Sequence, residues 1–368
     1  MERYYYAALA DLLGYQAPNR VRELVSYFGS AKAAFRAGSR DLKASGLLKE
    51  GLLSYYEEMY QGDLPEQIYD YCETHQVAVV TEYSEEYPPG LRELSSPPAV
   101  LYRKGTFPSW KRTLGVVGSR KATAYGLENA RSFARYLAGQ GVTVVSGGAF
   151  GIDAAAHQGA LDGGGCTVAV LAGGFQHLYP AAHSRLFGQI AQHGALVTEY
   201  APWVEPLQKR FPLRNRLVVG LCSGVLVVEA ALKSGAMITA RLAAEENRDV
   251  YAIPGLIHSA TSKGTHQLIR DGALLVDGPE QLLQEAFPQC AVPAKKETEL
   301  SLFDQLPSAQ VPQAQQVFSW LQEAGSQSME QLAEHFSWSL AELSSVLLQL
   351  EISGAVRQGP GNRYMLVV

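Results

Sequence analysis

Seven short apolar runs, most of them rich in β-branched residues, recur between Thr113 and Val276. Segments with helical spacing, such as LENARSFARYLAGQ, lie between most of these runs. Continuous apolar strands that alternate with helices are typical of a parallel sheet with both faces covered. We therefore predict a doubly wound, Rossmann-like α/β core, and two earlier runs that start at Val77 should extend one edge of its sheet.

The segments on either side of this core have different patterns. Residues 1–65 carry apolar residues at helical spacing between Gly/Ser turns, which indicates a small helical domain similar to helix-hairpin-helix or SAM modules. The core domain is predicted over residues 75–287, and the Pro- and charge-rich residues 288–310 are predicted as a linker. Residues 311–368 contain three amphipathic helices and then a hairpin around Gly-Pro-Gly. This order predicts a winged helix.

The composition is that of a globular protein with a sizeable core, since 47% of the residues are hydrophobic and 18% are charged. Apolar runs stay shorter than the about 18 residues that suggest a membrane span. The N-terminus, with Glu2 and no cationic stretch, differs from a secretory signal. The four cysteines lie far apart and form no CxxC pair. We therefore expect a cytoplasmic protein with reduced thiols and no membrane association.

Charge is distributed unevenly along the chain, although the net charge is −5. Residues 95–285 hold 18 Lys and Arg against 13 Asp and Glu, whereas residues 1–94 and 286–368 are both acidic. The positive charge is therefore concentrated in the predicted core, as the local binding of an anion requires.

Glycines and basic residues follow the predicted strands, where ligands bind in a doubly wound sheet. Gly118-Ser119-Arg120-Lys121 follows one run, Gly147-Gly148 follows a second, and Lys233-Ser234-Gly235 with Thr239 opens the helix after another. Glycines let the backbone approach a ligand closely, and N–H groups at a helix start favour an anion. The pattern favours a phosphate-binding surface, and tight packing of the sheet is the alternative explanation for the glycines. It matches neither G-x-G-x-x-G nor G-x-x-x-x-G-K-[ST], which argues against NAD and ATP.

The segment Lys209–Arg216 carries four cations around one aromatic ring and a proline. An aromatic residue among cations suits single-stranded nucleic acid, because the cations hold phosphates and the ring stacks on a base. The alternative is a solvated basic loop in which Phe211 belongs to the core.

Sequence patterns of known catalytic and metal sites do not occur: the chain has no HExxH, no Cys/His metal spacing and no G-x-S-x-G. Asp153 and Glu229 follow strands and are candidates for an acid or a base. A helix cap for Asp153 and a buried arginine partner for Glu229 are the favoured interpretations. Structural or surface positions are favoured for the isolated histidines, which are His157, His177, His183, His258 and His266. We predict no catalytic residue, no metal and no cofactor.

Several of these segments, in the same order, resemble the DNA-processing protein A family, also called DprA or Smf. The segments that carry the resemblance are Tyr87-Pro88, Leu91, PPAVLY, GSR, SGGAFGIDAAAHQGAL, TEY, FPLRNR, GLCSGVLVVEAALKSGAMITA, RDVYAIPG and LIRDGA. The resemblance implies a Rossmann-like core that binds single-stranded DNA without strong sequence preference and that forms a homodimer. It also implies a function in natural transformation, in which family members protect incoming strands and load the RecA recombinase onto them.

Position by position, the resemblance and the strand-end pattern together indicate one set of DNA-binding residues. These candidates are Gly118, Ser119, Arg120, Lys121, Gly147, Gly148, Lys209, Arg210, Phe211, Arg214, Asn215, Arg216, Lys233, Ser234, Gly235 and Thr239. A basic residue often follows the family's Tyr-Pro motif after the third strand. Here Tyr179-Pro180 is followed by Ala181-Ala182-His183, so one phosphate contact is expected to be missing or moved.

The predicted winged helix has few cations where a DNA reader needs them. Its third helical segment, SLAELSSVLLQLEISG, has two glutamates and no Lys or Arg, and Arg357 and Arg363 on the wing are its only arginines. A helix that enters a major groove should present cations or amides. We therefore hypothesise that this domain binds a protein partner or packs on its own chain.

Two other functions are alternatives to single-stranded DNA binding. Lysine-decarboxylase-like phosphoribohydrolases also use Gly-rich strand ends and a glutamate after a late strand. Their P-G-G-x-G-T-x-x-E run does not occur in this chain, which has E-A-A-L-K-S-G-A instead. A regulator that binds duplex DNA through the winged helix is disfavoured by the acidic third helix.

Overall fold

A nine-stranded sheet forms the centre of the N-terminal unit, Met1–Cys290. The computed structural model describes residues 1–15, 18–290, 311–352, 355–359 and 363–366. The strands are β1 (Val77–Thr81), β2 (Val100–Gly105), β3 (Thr113–Val117), β4 (Thr143–Ser146), β5 (Thr167–Val170), β6 (Ala195–Thr198), β7 (Gly224–Val227), β8 (Asp249–Ala252) and β9 (Leu274–Leu275). Their order across the sheet is β1-β2-β6-β5-β4-β3-β7-β8-β9.

The predicted doubly wound core is confirmed. Strands β3 to β9 pair in parallel, and β1 and β2 add an antiparallel edge next to β6. From β3 the chain builds the sheet toward β6, and it then returns to place β7 on the other side of β3. The strand order therefore reverses at β3, and such a switch point leaves a crevice beyond the carboxyl ends of the strands.

Helices cover both faces of this sheet because successive residues of each strand point to opposite sides. Leu226 of β7 packs with one set of helices, and its neighbours Val225 and Val227 pack with the other. The first set is α8 (Ala124–Gly139), α9 (Ile152–Asp162) and α14 (Pro279–Ala286). The second set is α11 (Arg210–Gly220), α12 (Gly235–Glu245) and α13 (Lys263–Arg270). The short helix α7 (Pro89–Arg92) and α10 (Ser184–His193) complete this part of the chain.

The N-terminal helices pack in the same unit as the sheet. They are α1 (Glu2–Leu13), α2 (Pro18–Phe28), α3 (Ala31–Arg36), α4 (Ser39–Ala44), α5 (Glu50–Met59) and α6 (Leu64–His75). Their buried residues, among them Leu9 and Phe35, share a hydrophobic cluster with Val79 of β1 and Tyr102 of β2. The helical segment predicted over residues 1–65 thus extends the core at the antiparallel edge of the sheet. In the described part of the chain, no helix has the length and apolar character needed to cross a membrane.

The C-terminal unit contains three helices and a small antiparallel sheet in its described residues. The predicted winged-helix fold is confirmed. Its elements are α15 (Val311–Ala324), β10 (Gln327–Ser328), α16 (Met329–Phe336), α17 (Leu340–Ile352), β11 (Val356–Gly359) and β12 (Arg363–Leu366). Leu321, Leu332 and Leu347 meet in its core, and Ser328 with Gln331 forms a capping box at the start of α16. Most of the predicted linker, residues 291–310, lies outside the described residues, as do residues 360–362 of the hairpin turn.

A buried histidine links α9 to the sheet. The Nδ1 atom of His157 lies 2.7 Å from Thr167 Oγ1, whose hydroxyl donates to the Val144 carbonyl. Thr167 therefore accepts from a neutral imidazole, and burial lowers the pKa of His157 to about 3. The structural position predicted for this histidine is confirmed.

This histidine should make stability depend on pH. The folded-state pKa of His157 lies below the unfolded value of 6.5. The stabilisation that comes from keeping His157 neutral is therefore fully present above about pH 6.5 and is lost as the pH falls toward 3. Between about pH 6.5 and about pH 5, we expect the free energy of unfolding to fall by about 2 kcal/mol through this group. Urea titrations of wild type and His157→Gln should show that slope only in the wild type. His258→Gln, at an exposed position, is the control and should keep the slope of the wild type. Equal slopes in wild type and His157→Gln would contradict the prediction.

Candidate functional site

A cavity of about 610 Å³ opens beyond the carboxyl ends of β3, β4 and β7, where the strand order reverses. Eleven of the sixteen candidate residues line it: Gly118, Ser119, Arg120, Lys121, Gly147, Phe211, Arg214, Asn215, Ser234, Gly235 and Thr239. We call it the switch-point cavity. Segments more than 100 residues apart in the chain thus meet there because β4 and β7 flank β3 in the sheet.

Glycines at the strand ends let three segments approach each other. A Cβ atom on Gly147 would lie 2.5 Å from Arg214 Nη2 and 2.7 Å from an Asp153 carboxylate oxygen. Gly151 has φ +75°, and a side chain there would collide with the Ser119 carbonyl. These contacts support the packing interpretation of the two glycines, and the close approach of a ligand stays a prediction.

The start of α12 offers polar groups to the cavity. Ser234 precedes the helix without capping it through its side chain, and its buried Oγ has no hydrogen-bond partner among the described residues. In the described part of the chain, no heavy atom lies within 4 Å of a Cβ placed on Gly235. The N–H groups at a helix start lack intrahelical acceptors and attract anions. An open helix start with an unused hydroxyl is therefore suited to hold a phosphate oxygen.

An exposed cation and two aromatic rings stand at the mouth of the cavity. The Arg120 guanidinium carbon lies 4.8 Å from the centre of the Phe211 ring. Tyr179, which is 49% exposed, makes an edge-on contact with the same ring at 5.6 Å. The arrangement brings a positive charge into contact with an aromatic ring, a combination that suits a phosphate and its base.

Tyr179 is not among the predicted site residues. Its Tyr-Pro motif served only to locate the basic residue expected after it. His183, which occupies the region of the expected basic residue, has its Nδ1 atom 3.1 Å from the Gly148 carbonyl. The His183 ring also makes an edge-on contact with Phe150, which is 44% exposed. The available signal for Tyr179 and Phe150 was an aromatic residue next to Pro180 or Gly151 in a segment between a strand and the following helix.

Arg214 lines the inner wall of the cavity and is almost completely buried, with 3% of the residue exposed. It donates to the Gly147 carbonyl at 2.6 Å and to the Val170 carbonyl, so it connects the ends of two strands. Burial lowers the pKa of Arg214 to about 10, and the Asp153 carboxylate opposes this shift. Burial likewise raises the pKa of Asp153, and Arg214 opposes that change.

Two of the predicted carboxylate contacts are wrong. Gly151, not Asp153, is the N-cap of α9, and the Asp153 carboxylate accepts from Ala149 N at 3.3 Å instead. Glu229 has Thr123 rather than an arginine as its partner, and it accepts from the Thr123 hydroxyl at 2.6 Å and from its N–H at 2.9 Å. Glu229 thereby joins the end of β7 to the start of α8, because Thr123 caps that helix.

Five candidate residues do not line the switch-point cavity: Gly148, Lys209, Arg210, Arg216 and Lys233. Arg216 forms a half-buried ion pair with Glu199 and donates to the Ser96 carbonyl at 2.8 Å. Burial raises the pKa of Glu199 to about 7, against the effect of that arginine. Lys209 and Arg210 line a second cavity on the other side of the first turn of α11. Lys233 is exposed just before α12.

The fold and the cavity define a Rossmann-like protein with a large cavity at the topological switch point of its sheet. A family model described as DNA recombination-mediator protein A matches residues 78–287, and the model of the DprA winged helix domain matches residues 303–362. The chain belongs to the DNA recombination-mediator protein A family, as its resemblance to DprA and Smf proteins indicated.

Known members of the family show the extent of the likeness. A putative DNA processing protein DprA from Mycobacterium tuberculosis is 47% identical over 207 residues, which is 53% of either chain, so the match spans about half of that relative. DNA processing protein A from Streptococcus pneumoniae superposes with a TM-score of 0.65 at 32% identity over 77% of this chain and 98% of that one. The Helicobacter pylori protein, whose structure concerns its single-stranded DNA binding mode, gives a TM-score of 0.53 at 29% identity over 58% of this chain and 97% of that one.

Proposed function

We propose that this chain binds single-stranded DNA without sequence preference and serves as a recombination mediator rather than as an enzyme. The observation that carries the proposal is the exposed Arg120 over the Phe211 ring in a cavity at the glycine-rich ends of the strands. The single-stranded DNA binding of the Helicobacter pylori relative and the family description support it.

In this proposal the switch-point cavity holds one base and its flanking phosphates. The Phe211 ring stacks on the base, while Arg120 and Lys121 neutralise phosphate charge. Ser234 Oγ and the first N–H groups of α12 donate to a phosphate oxygen. These groups contact features that every nucleotide shares, so binding is independent of base sequence.

The same proposal assigns no catalytic function to the cavity. Asp153 and Glu229, the two carboxylates near it, are committed to hydrogen bonds within the fold. Proton transfer to a substrate requires a carboxylate within hydrogen-bond reach of the reacting atom. A phosphoribohydrolase therefore has less support than a binding protein.

The wider biological function follows the family resemblance. We propose that the protein acts in the cytoplasm as a homodimer formed through its core, protects incoming strands in natural transformation, and loads RecA recombinase onto them. The winged helix binds a protein partner in this proposal. Two features of this domain support a protein partner. Arg363 on the wing donates to the Ser326 carbonyl, and α17 carries glutamates where a helix that binds DNA needs cations.

Fluorescence anisotropy of labelled oligonucleotides tests the proposal. We expect wild type to prefer single strands over duplex, with an affinity that falls by about 0.7 log units per log unit of salt for each phosphate contact. Arg120→Ala should weaken binding to all sequences alike and reduce that slope by about 0.7, because one phosphate contact is lost.

Arg40→Ala is the matched control, since it removes the same charge from an exposed position on α4 that lines neither cavity. It should leave both the affinity and the salt slope close to wild type. Weak binding to both kinds of DNA, or normal binding by Arg120→Ala, would count against the proposal.

A further inference from the structure

A second cavity, of about 650 Å³, lies between the N-terminal helices and the core. Its walls come from the end of α1, from α5, from the segment after β6 and from the start of α11. The lining residues that matter here are Asp11, Tyr55, Tyr200, Trp203, Lys209 and Arg210. We call it the helical cavity.

The first turn of α11 separates the helical cavity from the switch-point cavity. Lys209 and Arg210 line the helical cavity, whereas Gln208, Phe211 and Asn215 line the switch-point cavity. Adjacent residues of the basic segment thus serve two cavities, because side chains on a helix radiate around its axis. A strand that crosses this turn would pass from one cavity to the other.

The helical cavity repeats the chemistry of the first. The Arg210 guanidinium carbon lies 5.4 Å from the centre of the Tyr200 ring, as Arg120 lies over Phe211. Lys209 is exposed beside it, and the Tyr55 ring is 47% exposed on the opposite wall. Cations next to accessible aromatic rings are the features that bind successive nucleotides of a single strand.

One aromatic wall of this cavity is held in place. The Trp203 indole N–H donates to Asp11 Oδ2 at 3.1 Å, and the Tyr15 hydroxyl donates to the other oxygen of the same carboxyl group. Burial raises the pKa of Asp11, and these hydrogen bonds oppose that shift. The Trp203 ring is consequently oriented before any ligand arrives, which reduces the entropy lost on binding.

We propose that the helical cavity takes a further nucleobase of the same single strand, so that the strand crosses the first turn of α11 with a base on each side. This inference rests on the proposed function and adds the N-terminal helices to the DNA-binding surface. Lys209 and Arg210 hold the phosphates at the crossing, and Tyr55 and Trp203 contact the base. The Tyr200 ring, which is 2% exposed, packs against Arg210 from the protein side.

Photo-cross-linking of the full-length protein tests the path directly. Oligonucleotides that carry 5-iododeoxyuridine at single positions are irradiated with the protein, and the linked peptides are mapped by mass spectrometry. Adducts at Tyr55 or Trp203, together with adducts at Phe211 or Tyr179 from other positions of the same oligonucleotide, are the expected result. Adducts around Phe211 alone would overturn this inference and leave the proposed function standing. Absence of any single-stranded DNA binding would overturn both.

A matched pair of variants supplies the second measurement. Tyr55→Ala should weaken binding of a long single strand about tenfold, the usual loss for one stacking ring. Binding of an oligonucleotide too short to reach both cavities should stay unchanged. Tyr27→Ala removes a comparably exposed ring, 58% accessible on α2, that lines neither cavity, and it should bind like wild type. Equal affinities of the two variants for the long strand, with unchanged melting temperatures, would overturn the inference.

Discussion

Arg214→Ala is expected to lower the free energy of unfolding by about 2–5 kcal/mol, because the buried Gly147 and Val170 carbonyls both lose their charged donor. The substitution also removes the cation that opposes the burial-induced rise in the pKa of Asp153. Because Gly147 lines the switch-point cavity, single-stranded DNA binding should fall as well. Urea titration followed by circular dichroism measures the first effect, and anisotropy measures the second.

The double variant Arg214→Met with Asp153→Asn separates the charge from the packing. It removes both charges and keeps an apolar side chain in the space, so it should be clearly more stable than Arg214→Ala. Arg40→Ala, at an exposed position, should change stability by less than about 0.5 kcal/mol. A loss below about 1 kcal/mol for Arg214→Ala would show that the hydrogen bonds of this buried arginine have little effect on stability.

Phe211→Ala is expected to weaken single-stranded DNA binding by about 5- to 150-fold, the range for one base-stacking contact. The salt slope should change little, because the substitution removes no charge. This pattern is the converse of the one expected for Arg120→Ala. Anisotropy titrations at two salt concentrations distinguish the two variants.

Two further substitutions at this position test the stacking argument. Phe211→Tyr retains the ring and should bind nearly as well as wild type, whereas Phe211→Leu retains apolar volume without a flat face and should bind weakly. A double-mutant cycle with Arg120→Ala should show coupling, since the guanidinium lies over the ring at 4.8 Å. Full affinity in Phe211→Leu would exclude base stacking as the function of this residue.

The surroundings of the side chains in the basic segment Lys209–Arg216 could not be predicted from the sequence. The pattern of cations around Phe211 indicated a single binding surface. In the structure Lys209 and Arg210 line the helical cavity, Arg214 is buried at the ends of two strands, and Arg216 pairs with Glu199. The four cations of one segment therefore have three different surroundings, because a helix directs neighbouring side chains to different sides.

The predicted arginine partner of Glu229 was wrong for a similar reason. Sequence indicated that a carboxylate after a buried strand needs a donor, and an arginine is the common one. The actual donor, Thr123, is 106 residues away in sequence. It caps α8, whose first turn lies beside the end of β7 in the folded sheet. A short polar residue before a helix gives no signal of such a distant contact.

The local sequence pattern was enough to predict which segments become strands and where their glycine-rich ends fall, since strands buried on both faces must be continuously apolar. It also predicted most of the residues that line the switch-point cavity. The folded structure was needed to place β3 between β4 and β7, which brings Gly118, Gly147 and Ser234 together. It was also needed to show that Arg120 remains exposed while Arg214 is buried. Exposure and proximity depend on the packing of distant segments, which local periodicity does not encode.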